Sequence, residues 1–189
     1  MSTYARRLDL ISVEDYLALD DATEDARLEY AAGHVFALAG ASRRHAAIAR
    51  NLTILLQAAL EGRGCDAYAT ALRLRVAADM YFYPDVMVAC GERAGTDRDE
   101  TAPTLLAEVL SESTEDRDLG LKLAAYGSLP SLLAYLVVAQ DTRRVEVHWR
   151  EREDAPWQHQ VVRGAGIVHL AALGGVDLPL DRIYARTDI

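Results

Sequence analysis

The sequence is short of several residue types that mark particular classes of protein. It holds only two cysteines, Cys65 and Cys90, in 189 residues, which excludes a disulfide-rich scaffold and a multi-cysteine zinc site. No apolar run approaches the roughly 18 residues that a membrane span needs. The first residues of the chain lack the apolar stretch of a signal peptide. These absences predict a soluble, cytoplasmic protein without a membrane partner.

Basic residues are fewer than acidic ones, and nearly all of them are arginine. The formal net charge of −9 argues against a protein that coats nucleic acid without sequence preference, while a small basic patch stays compatible with an enzyme that meets DNA. Of the 20 basic residues, 19 are arginine and Lys122 is the only lysine. Two explanations stay open: a composition that favours arginine throughout, or a role for a compact ammonium group at this position.

Length and periodicity predict one α/β domain spanning residues 1–189, with a mixed β-sheet flanked by helices. Apolar spacing predicts helices at residues 13–19, 23–30, 43–61 with Ser42 as N-cap, and from Ser113 or Thr114 to 126. It predicts strands at residues 34–39, 66–70, 72–77, 81–90, 105–110, 132–139, 143–149, 157–163 and 167–170, a surface loop at 91–101 and a closing segment at 177–183.

Two acidic residues lie within apolar stretches that we expect to form strands. Asp85 lies within residues 81–89, and Glu108 lies within residues 105–110. A carboxylate in an apolar strand is unfavourable unless it is paired or binds a metal. Two such carboxylates in successive strands, together with a backbone carbonyl, suit Mg²⁺. The alternative for each is a hydrogen bond to an arginine or to a helix N-terminus.

Lys122, His45 and Glu29 are further candidates for the same site. Lys122 lies on the predicted helix after the Glu108 strand, from which it can reach back to a water molecule at the strand end. It also follows Asp118 by four residues, so an exposed ion pair is the alternative. His45 faces inward near the start of the long helix, and a structural histidine is its alternative. Glu29 precedes the first strand and can belong to the same cleft.

Five arginines are candidates for contact with phosphate groups. Three lie in the first half of the long helix and two lie in the predicted strand at 72–77, and for all five a solvated surface position is the alternative: Arg43, Arg44, Arg50, Arg73 and Arg75.

Taken together, these residues resemble a known pattern. Its parts are Glu29-Tyr30 with Gly33, Ser42-x-x-His45, Asn51-Leu52, Pro84-Asp85, and Glu108-Val109-Leu110-Ser111-x-Ser113-Thr114 with Asp118, Lys122 and Tyr126. The chain resembles the Uma-two family, which is assigned as restriction endonucleases within the PD-(D/E)XK nuclease superfamily, from about residue 12 to residue 183. The superfamily places its lysine two residues after the acid, where this sequence has Leu110. The resemblance implies that Lys122, on the following helix, takes over that position.

The resemblance implies a restriction-endonuclease-like fold and a metal-dependent site. Asp85, Glu108 and the carbonyl of Val109 would hold Mg²⁺ or Mn²⁺, and Lys122 would position or deprotonate the attacking water. His45 and Glu29 would line the cleft.

Two hypotheses for the function follow. The first is an endonuclease that hydrolyses phosphodiester bonds of nucleic acid, with DNA as the expected substrate. A homodimer is expected with it, because cleavage of both strands needs two active sites. The second is a catalytically silent nuclease fold that serves as a binding or assembly module, which the acidic net charge favours.

Overall fold

Two large sheets, a small two-stranded sheet formed by residues 167–170 and 176–179, and the helices packed on them make up the computed structural model. It describes residues 10–23, 26–38, 40–69, 72–92, 94–96, 98–110 and 118–189. In chain order the helices and strands are α1 (Val13–Ala22), β1 (Leu28–Ala31), β2 (His34–Ala37), α2 (Arg43–Ala59), β3 (Cys65–Ala69), β4 (Arg73–Ala77), β5 (Met80–Phe82), β6 (Val86–Cys90), β7 (Asp99–Glu100), β8 (Pro103–Val109), a π-helical turn (Asp118–Lys122), α3 (Leu123–Gly127), β9 (Ala134–Val138), β10 (Arg144–Trp149), β11 (Gln158–Arg163), β12 (Ile167–Leu170), a 3-10 turn (Ala171–Leu173), β13 (Val176–Pro179) and α4 (Leu180–Ile183).

The larger sheet has six strands in the order β11-β10-β9-β8-β6-β3. All of its neighbouring strands are antiparallel except β8 and β9, which are parallel. A parallel pair needs a crossover connection, and the segment that contains α3 supplies it. The expected mixed sheet flanked by helices is therefore confirmed, and its centre is the pair β8 and β9.

Helix α2 packs across one face of the six-stranded sheet. Its buried residues Ile48, Leu52 and Leu56 recur at helical spacing, as the sequence predicts. They form one core with alternate residues of the sheet strands, which include Val86, Val88, Leu105, Ala107, Val109, Leu136 and Val138. Since Ala107 and Val109 face α2, the intervening Glu108 faces the other side of the sheet.

The second sheet and α3 cover that other side. This sheet has five strands in the order β2-β1-β5-β4-β7. A second core lies between the sheets and includes Phe82, Leu106, Tyr126, Tyr135 and Val137. Glu108 is therefore enclosed between the two sheets.

The predicted strand at residues 81–90 is two strands that belong to different sheets. Met80–Phe82 is part of the five-stranded sheet, and Val86–Cys90 is part of the six-stranded sheet. Pro84 lacks a backbone N–H and cannot continue a ladder, which separates the two strands at this point. Asp85 thus lies at the junction where the chain passes from one sheet to the other.

The prediction of a helix at residues 23–30 is wrong, because Leu28–Ala31 forms β1. All four residues of this strand are buried. A two-residue turn with positive φ at Ala32 (47°) and Gly33 (91°) joins β1 to β2. Such a turn matches the twist of an antiparallel hairpin, so pairing with β2 outweighs the local helical preference.

Three other segments differ in detail from the sequence prediction. The loop at residues 91–101 contains the short strand β7, which pairs with β4. The closing segment at 177–183 divides into β13 and α4. The predicted helix that ends at residue 126 has its described part at Asp118–Gly127, and its proposed N-caps Ser113 and Thr114 lie outside the described residues.

The two cysteines form a disulfide that the sequence analysis did not predict. Cys65 in β3 and Cys90 in β6 lie directly opposite each other, with their Cα atoms 3.9 Å apart. The bond therefore links the edge strand to its neighbour. Within the described residues, every helix is too short or too polar to cross a membrane.

Candidate active site

Asp85 lies beside the carboxyl end of β8 and contacts two neighbours. Its Oδ2 atom accepts a hydrogen bond of 2.8 Å from the backbone N–H of Val109. Its Oδ1 atom lies 2.9 Å from Nε2 of His45. The side chains of Asp85 and His45 are each 14% exposed. This pair is the part of the candidate site that solvent reaches.

The N-cap of α2 determines the position of His45. Ser42 adopts an extended conformation, and its Oγ atom accepts a hydrogen bond of 3.1 Å from the backbone N–H of His45. The Nδ1 atom of His45 is buried and has no hydrogen-bond partner among the described residues. The contact of Nε2 with the Asp85 carboxylate therefore sets the orientation of the ring.

Glu108 binds two donors from the helical segment that follows β8. Its Oε1 atom accepts hydrogen bonds of 2.8 Å from Nζ of Lys122 and 2.8 Å from the hydroxyl of Tyr126. These donors are four residues apart, so they lie on the same side of the helical segment. Glu108 is 3% exposed and Lys122 is 2% exposed. The contact between them is a buried ion pair.

Glu29 approaches the same ammonium group from the five-stranded sheet. Its Oε1 atom lies 3.0 Å from Nζ of Lys122 and accepts a hydrogen bond of 3.1 Å from the backbone N–H of Tyr83. Glu29 is fully buried. Nζ of Lys122 also lies 5.9 Å from the centre of the Phe82 ring. Lys122 thus connects one carboxylate from each of the two sheets.

The structure brings the predicted site residues into two contacting groups. These are His45 with Asp85, and Glu29 with Lys122 and Glu108. The groups meet at consecutive residues of β8, because Glu108 belongs to one and the N–H of Val109 binds the other. The alternative of an exposed ion pair for Lys122 does not apply, since Lys122 is buried. The side chain of Asp118 lies outside the described part of the structure.

Tyr126 is a member of this group that the sequence analysis included only as part of the family pattern. Burial raises the pKa of Tyr126 well above its usual value, and the nearby carboxylates of Glu108 and Glu29 raise it further. Its hydroxyl therefore stays protonated at neutral pH and donates to Glu108. The spacing of four residues from Lys122 is the signal that predicts this role.

The oxygen atoms at the end of β8 are of the type that a hard divalent cation accepts. Val86 pairs with Ala107, which brings Asp85 and Glu108 to the next position of the ladder. In an extended strand the N–H and C=O of one residue point to the same side. The carbonyl of Val109 therefore faces the side of Asp85, as its N–H does. Two carboxylates and a carbonyl fit Mg²⁺ or Mn²⁺ by ligand type.

The arginines that were candidates for phosphate contact divide into two groups. Arg73 is 6% exposed and forms ion pairs of 2.9 Å with Asp20 and 2.6 Å with Asp99, so neither a phosphate contact nor the alternative of a solvated surface position applies to it. Its partner Asp20 anchors α1 and β1 from within the core, which is why an arginine is buried here. Arg44 pairs with Asp188 at 2.6 Å. The others, Arg43, Arg50 and Arg75, are exposed.

Sequence reasoning missed a cluster of three metal-ligating side chains on the six-stranded sheet. Glu146, His148 and His159 each place one ligand atom within 4.8 Å of the others. All three side chains are of types that ligate metals, and they converge within the described part of the chain. The Glu-x-His spacing in a strand, with a further histidine in the next strand, is a signal that predicts it.

The chain combines a mixed α/β architecture with acidic residues near the ends of two paired strands, an arrangement compatible with a nuclease-like fold. The sequence profile of the Uma2 family, described as "Putative restriction endonuclease", matches residues 13–181. The chain therefore belongs to the Uma2 family, and the resemblance seen in the sequence is confirmed.

Known relatives agree with this assignment. The chain is 35% identical over 153 residues to the uncharacterized protein sll1609 of Synechocystis sp.. This match covers 78% of this chain and 85% of that protein. It is 30% identical over 179 residues to the uncharacterized protein slr1290 of the same organism, covering 92% of this chain and 91% of that protein. A crystal structure of a putative nuclease belonging to DUF820 from Anabaena variabilis has a TM-score of 0.75 at 16% identity, and the match covers 93% of this chain and 98% of that one. The fold is therefore shared with this structure.

Proposed function

We propose that this protein is a metal-dependent endonuclease that hydrolyses phosphodiester bonds in DNA. The observation that carries the proposal is the contact of Lys122 with Glu108 at 2.8 Å, at the strand end where Asp85 binds Val109. An acid near the end of each of two paired strands, with a lysine on the helical segment that follows one of them, is a combination suited to bind a cation and a phosphate together. Membership of the Uma2 family supports a nuclease-like function.

Asp85, Glu108 and the carbonyl of Val109 are the groups that would hold Mg²⁺ or Mn²⁺. When bound, the ion would lower the pKa of a water ligand and stabilise negative charge on the phosphate. The remaining groups act through hydrogen bonds. Lys122 and Tyr126 both donate to Oε1 of Glu108 and orient its carboxylate. His45 orients Asp85 in the same way.

Lys122 and Glu29 would position the attacking water from the buried side of the site. Glu29 holds the ammonium group at 3.0 Å, so Lys122 has a fixed donor geometry instead of a mobile side chain. His45 and the exposed Arg43, two residues before it, lie on the first turn of α2. They are the groups that would contact the phosphates of an approaching strand.

Three further features belong to the proposal. DNA is the proposed substrate in preference to RNA. A homodimer would bring together the two active sites that cleavage of a duplex needs. A cytoplasmic location stays a prediction.

A second candidate function is a catalytically silent module that binds or assembles through the same fold. Burial favours it, because Glu29, Glu108 and Lys122 are 0%, 3% and 2% exposed. A closed ion network of this kind also serves to hold two sheets together without any chemistry. The two candidates differ in one requirement, since only the nuclease needs a cation at Asp85 and Glu108.

Cleavage of supercoiled plasmid, single-stranded DNA and RNA in the presence of Mn²⁺ tests the proposal. Asp85→Asn and Glu108→Gln keep the shape of each side chain and remove its charge. We expect each to lower the rate of DNA cleavage by at least on the order of 100-fold. Glu100→Gln is the matched control, because Glu100 is also buried (5%) but lies in β7 of the five-stranded sheet and accepts hydrogen bonds from the backbone of Thr101 and Ala102. It should cleave at the wild-type rate.

Calorimetric titration with Mn²⁺ separates the possible outcomes. Equal cleavage by wild type and both site variants would refute the assignment of Asp85 and Glu108. Absence of cleavage on all three substrates, together with no Mn²⁺ binding that depends on these residues, would refute the nuclease and support the silent module. Cleavage of RNA alone would overturn DNA as the substrate.

A further inference from the structure

Glu146, His148 and His159 converge on one face at the edge of the six-stranded sheet. Glu146 and His148 are two residues apart in β10, so their side chains point to the same face. His159 in β11 lies directly opposite His148 in the register. The two imidazole rings stack with their centres 4.6 Å apart, and Nε2 of His159 lies 3.2 Å from Oε2 of Glu146. Strand pairing alone therefore brings the three side chains together.

One ring nitrogen of His148 is left without a hydrogen bond in the part of the chain that the structure describes. Its Nε2 atom is buried and has no hydrogen-bond partner among the described residues. A buried polar atom without a partner is unfavourable, and an ion at this position would satisfy it. Burial lowers the pKa of His148, and the neighbouring His159 lowers it further. The neutral imidazole is the form that ligates metals.

From this convergence we infer that Glu146, His148 and His159 form a second, separate binding site for a divalent transition metal such as Zn²⁺. Two imidazoles and one carboxylate are a ligand set that Zn²⁺ accepts, and three protein ligands leave one coordination position open. Imidazole ligands favour Zn²⁺, Ni²⁺ and Cu²⁺ over Mg²⁺. The site thus differs in metal preference from the oxygen ligands at Asp85 and Glu108.

The ligand atoms need only a small rearrangement to bind one ion. They lie within 4.8 Å of one another, whereas the ligands of a tetrahedral zinc ion are about 3.3–3.5 Å apart at bond lengths near 2.0–2.1 Å. Nε2 of His159 already lies 3.2 Å from Oε2 of Glu146, which is close to that spacing. Arg144 forms an ion pair with Oε1 of Glu146, which leaves Oε2 to serve as the ligand while Arg144 holds the carboxylate from outside.

The cluster lies on the same face as Glu108, but at some distance from it. In the register, Glu108 pairs with Val137 and Val137 pairs with Glu146. Two strand spacings separate these acids, which is roughly 10 Å. His148 also lines a cavity of about 260 Å³ with Leu123, Gly127, Leu132, Tyr135 and Trp157. The cavity provides space next to the cluster for the open coordination position.

Titration of the metal-free protein with Zn²⁺ tests the inference, with Co²⁺ as a spectroscopic probe. With excess Mg²⁺ present to occupy the proposed site at Asp85 and Glu108, we expect one equivalent of Zn²⁺ to bind at the histidine cluster, and the Co²⁺ form to show the visible absorption of a tetrahedral ion. His159→Asn should weaken binding by more than the 10–100-fold that loss of an outer partner typically costs, since it removes a ligand. His159 is 48% exposed at its side chain, so this variant will fold. Glu146→Gln should weaken binding as well.

Two controls make the result specific. His169 forms an exposed pair with Asp177 at 2.6 Å in the small β12–β13 sheet, and His169→Asn should leave the affinity unchanged. Asp85→Asn should also leave it unchanged, which separates this site from the candidate active site. Equal weakening by His159→Asn and His169→Asn would show surface binding only and overturn the inference. Zn²⁺ binding that His159→Asn does not alter, absence of binding, or displacement by excess Mg²⁺ would overturn it as well.

Discussion

Lys122 is a buried cation held between two buried carboxylates, and this arrangement gives it a structural role whatever its role in catalysis. Nζ lies 2.8 Å from Glu108 and 3.0 Å from Glu29. Breaking a buried ion pair is more destabilising than the pair itself is stabilising, because the partner is left as an uncompensated charge. Here a single substitution leaves two such partners.

We therefore expect Lys122→Met to lower the free energy of unfolding by about 3–5 kcal/mol. Methionine has a similar length and keeps the contact with the Phe82 ring, so the loss reflects the missing charge and not a cavity. Urea unfolding followed by circular dichroism measures the change.

The double variant Lys122→Met/Glu108→Gln supplies the control. Removing one of the two uncompensated carboxylates should restore part of the lost stability, which identifies charge as the cause. A neutral effect of Lys122→Met would show that the ion pair is not maintained in the folded protein.

At the level of secondary structure, two helices begin with the same serine cap, and only one of them positions a site residue. Ser12 caps α1 by accepting a hydrogen bond of 3.1 Å from the N–H of Asp15. Ser42 caps α2 by accepting a hydrogen bond of the same length from His45. The cap of α2 thus binds the backbone of the residue that orients Asp85.

We expect Ser42→Ala to lower the free energy of unfolding by about 1 kcal/mol, as loss of an N-cap usually does. It should also weaken Mn²⁺-dependent cleavage, because the first turn of α2 that carries His45 becomes less ordered. Ser12→Ala is the matched control, and it should produce a similar loss of stability without a change in cleavage. Thermal unfolding and plasmid cleavage measured on both variants check the prediction. Equal effects on cleavage would contradict the link between the α2 cap and the site.

At the scale of the whole molecule, the chain passes back and forth between the two sheets, and the candidate site lies where it crosses. β5 belongs to one sheet and β6 to the other, with Asp85 between them. Glu29 comes from the five-stranded sheet and Glu108 from the six-stranded sheet. Any loss of packing between the sheets would therefore separate the members of the site.

The Cys65–Cys90 disulfide closes a segment with a sequence separation of 25 residues, which includes β3, β4, β5 and β6. Cross-linking a loop of this length reduces the entropy of the unfolded chain and contributes about 3 kcal/mol. We expect the free energy of unfolding to fall by this amount when dithiothreitol is added. The variant Cys65→Ser/Cys90→Ser should have the lower stability under both conditions. Thiol titration of the folded protein checks the starting state, and two reactive thiols without reductant would contradict the bond.

The sequence by itself determined the elements that depend on local pattern. Helix α2 with its Ser42 cap and most strands of the six-stranded sheet follow from periodicity and capping, which act between residues close in the chain. The same reasoning predicted that Asp85 and Glu108 lie in neighbouring apolar segments. It also selected Lys122, because a single lysine among arginines is visible in composition alone. The catalytic roles of these residues stay predictions.

Tertiary structure decided everything that depends on which segments meet. It buried Arg73 between Asp20 and Asp99, although its strand has the alternation of a half-exposed one. It brought Glu29 to Lys122 across 93 positions of the chain, and it aligned His148 with His159 through the register of two strands. The physical reason is that periodicity specifies which face of an element is buried but not which partner covers it. That choice depends on the packing of segments that are distant in the chain. The free energy of a contact between two such segments depends on the positions of both, and local sequence patterns do not specify these positions.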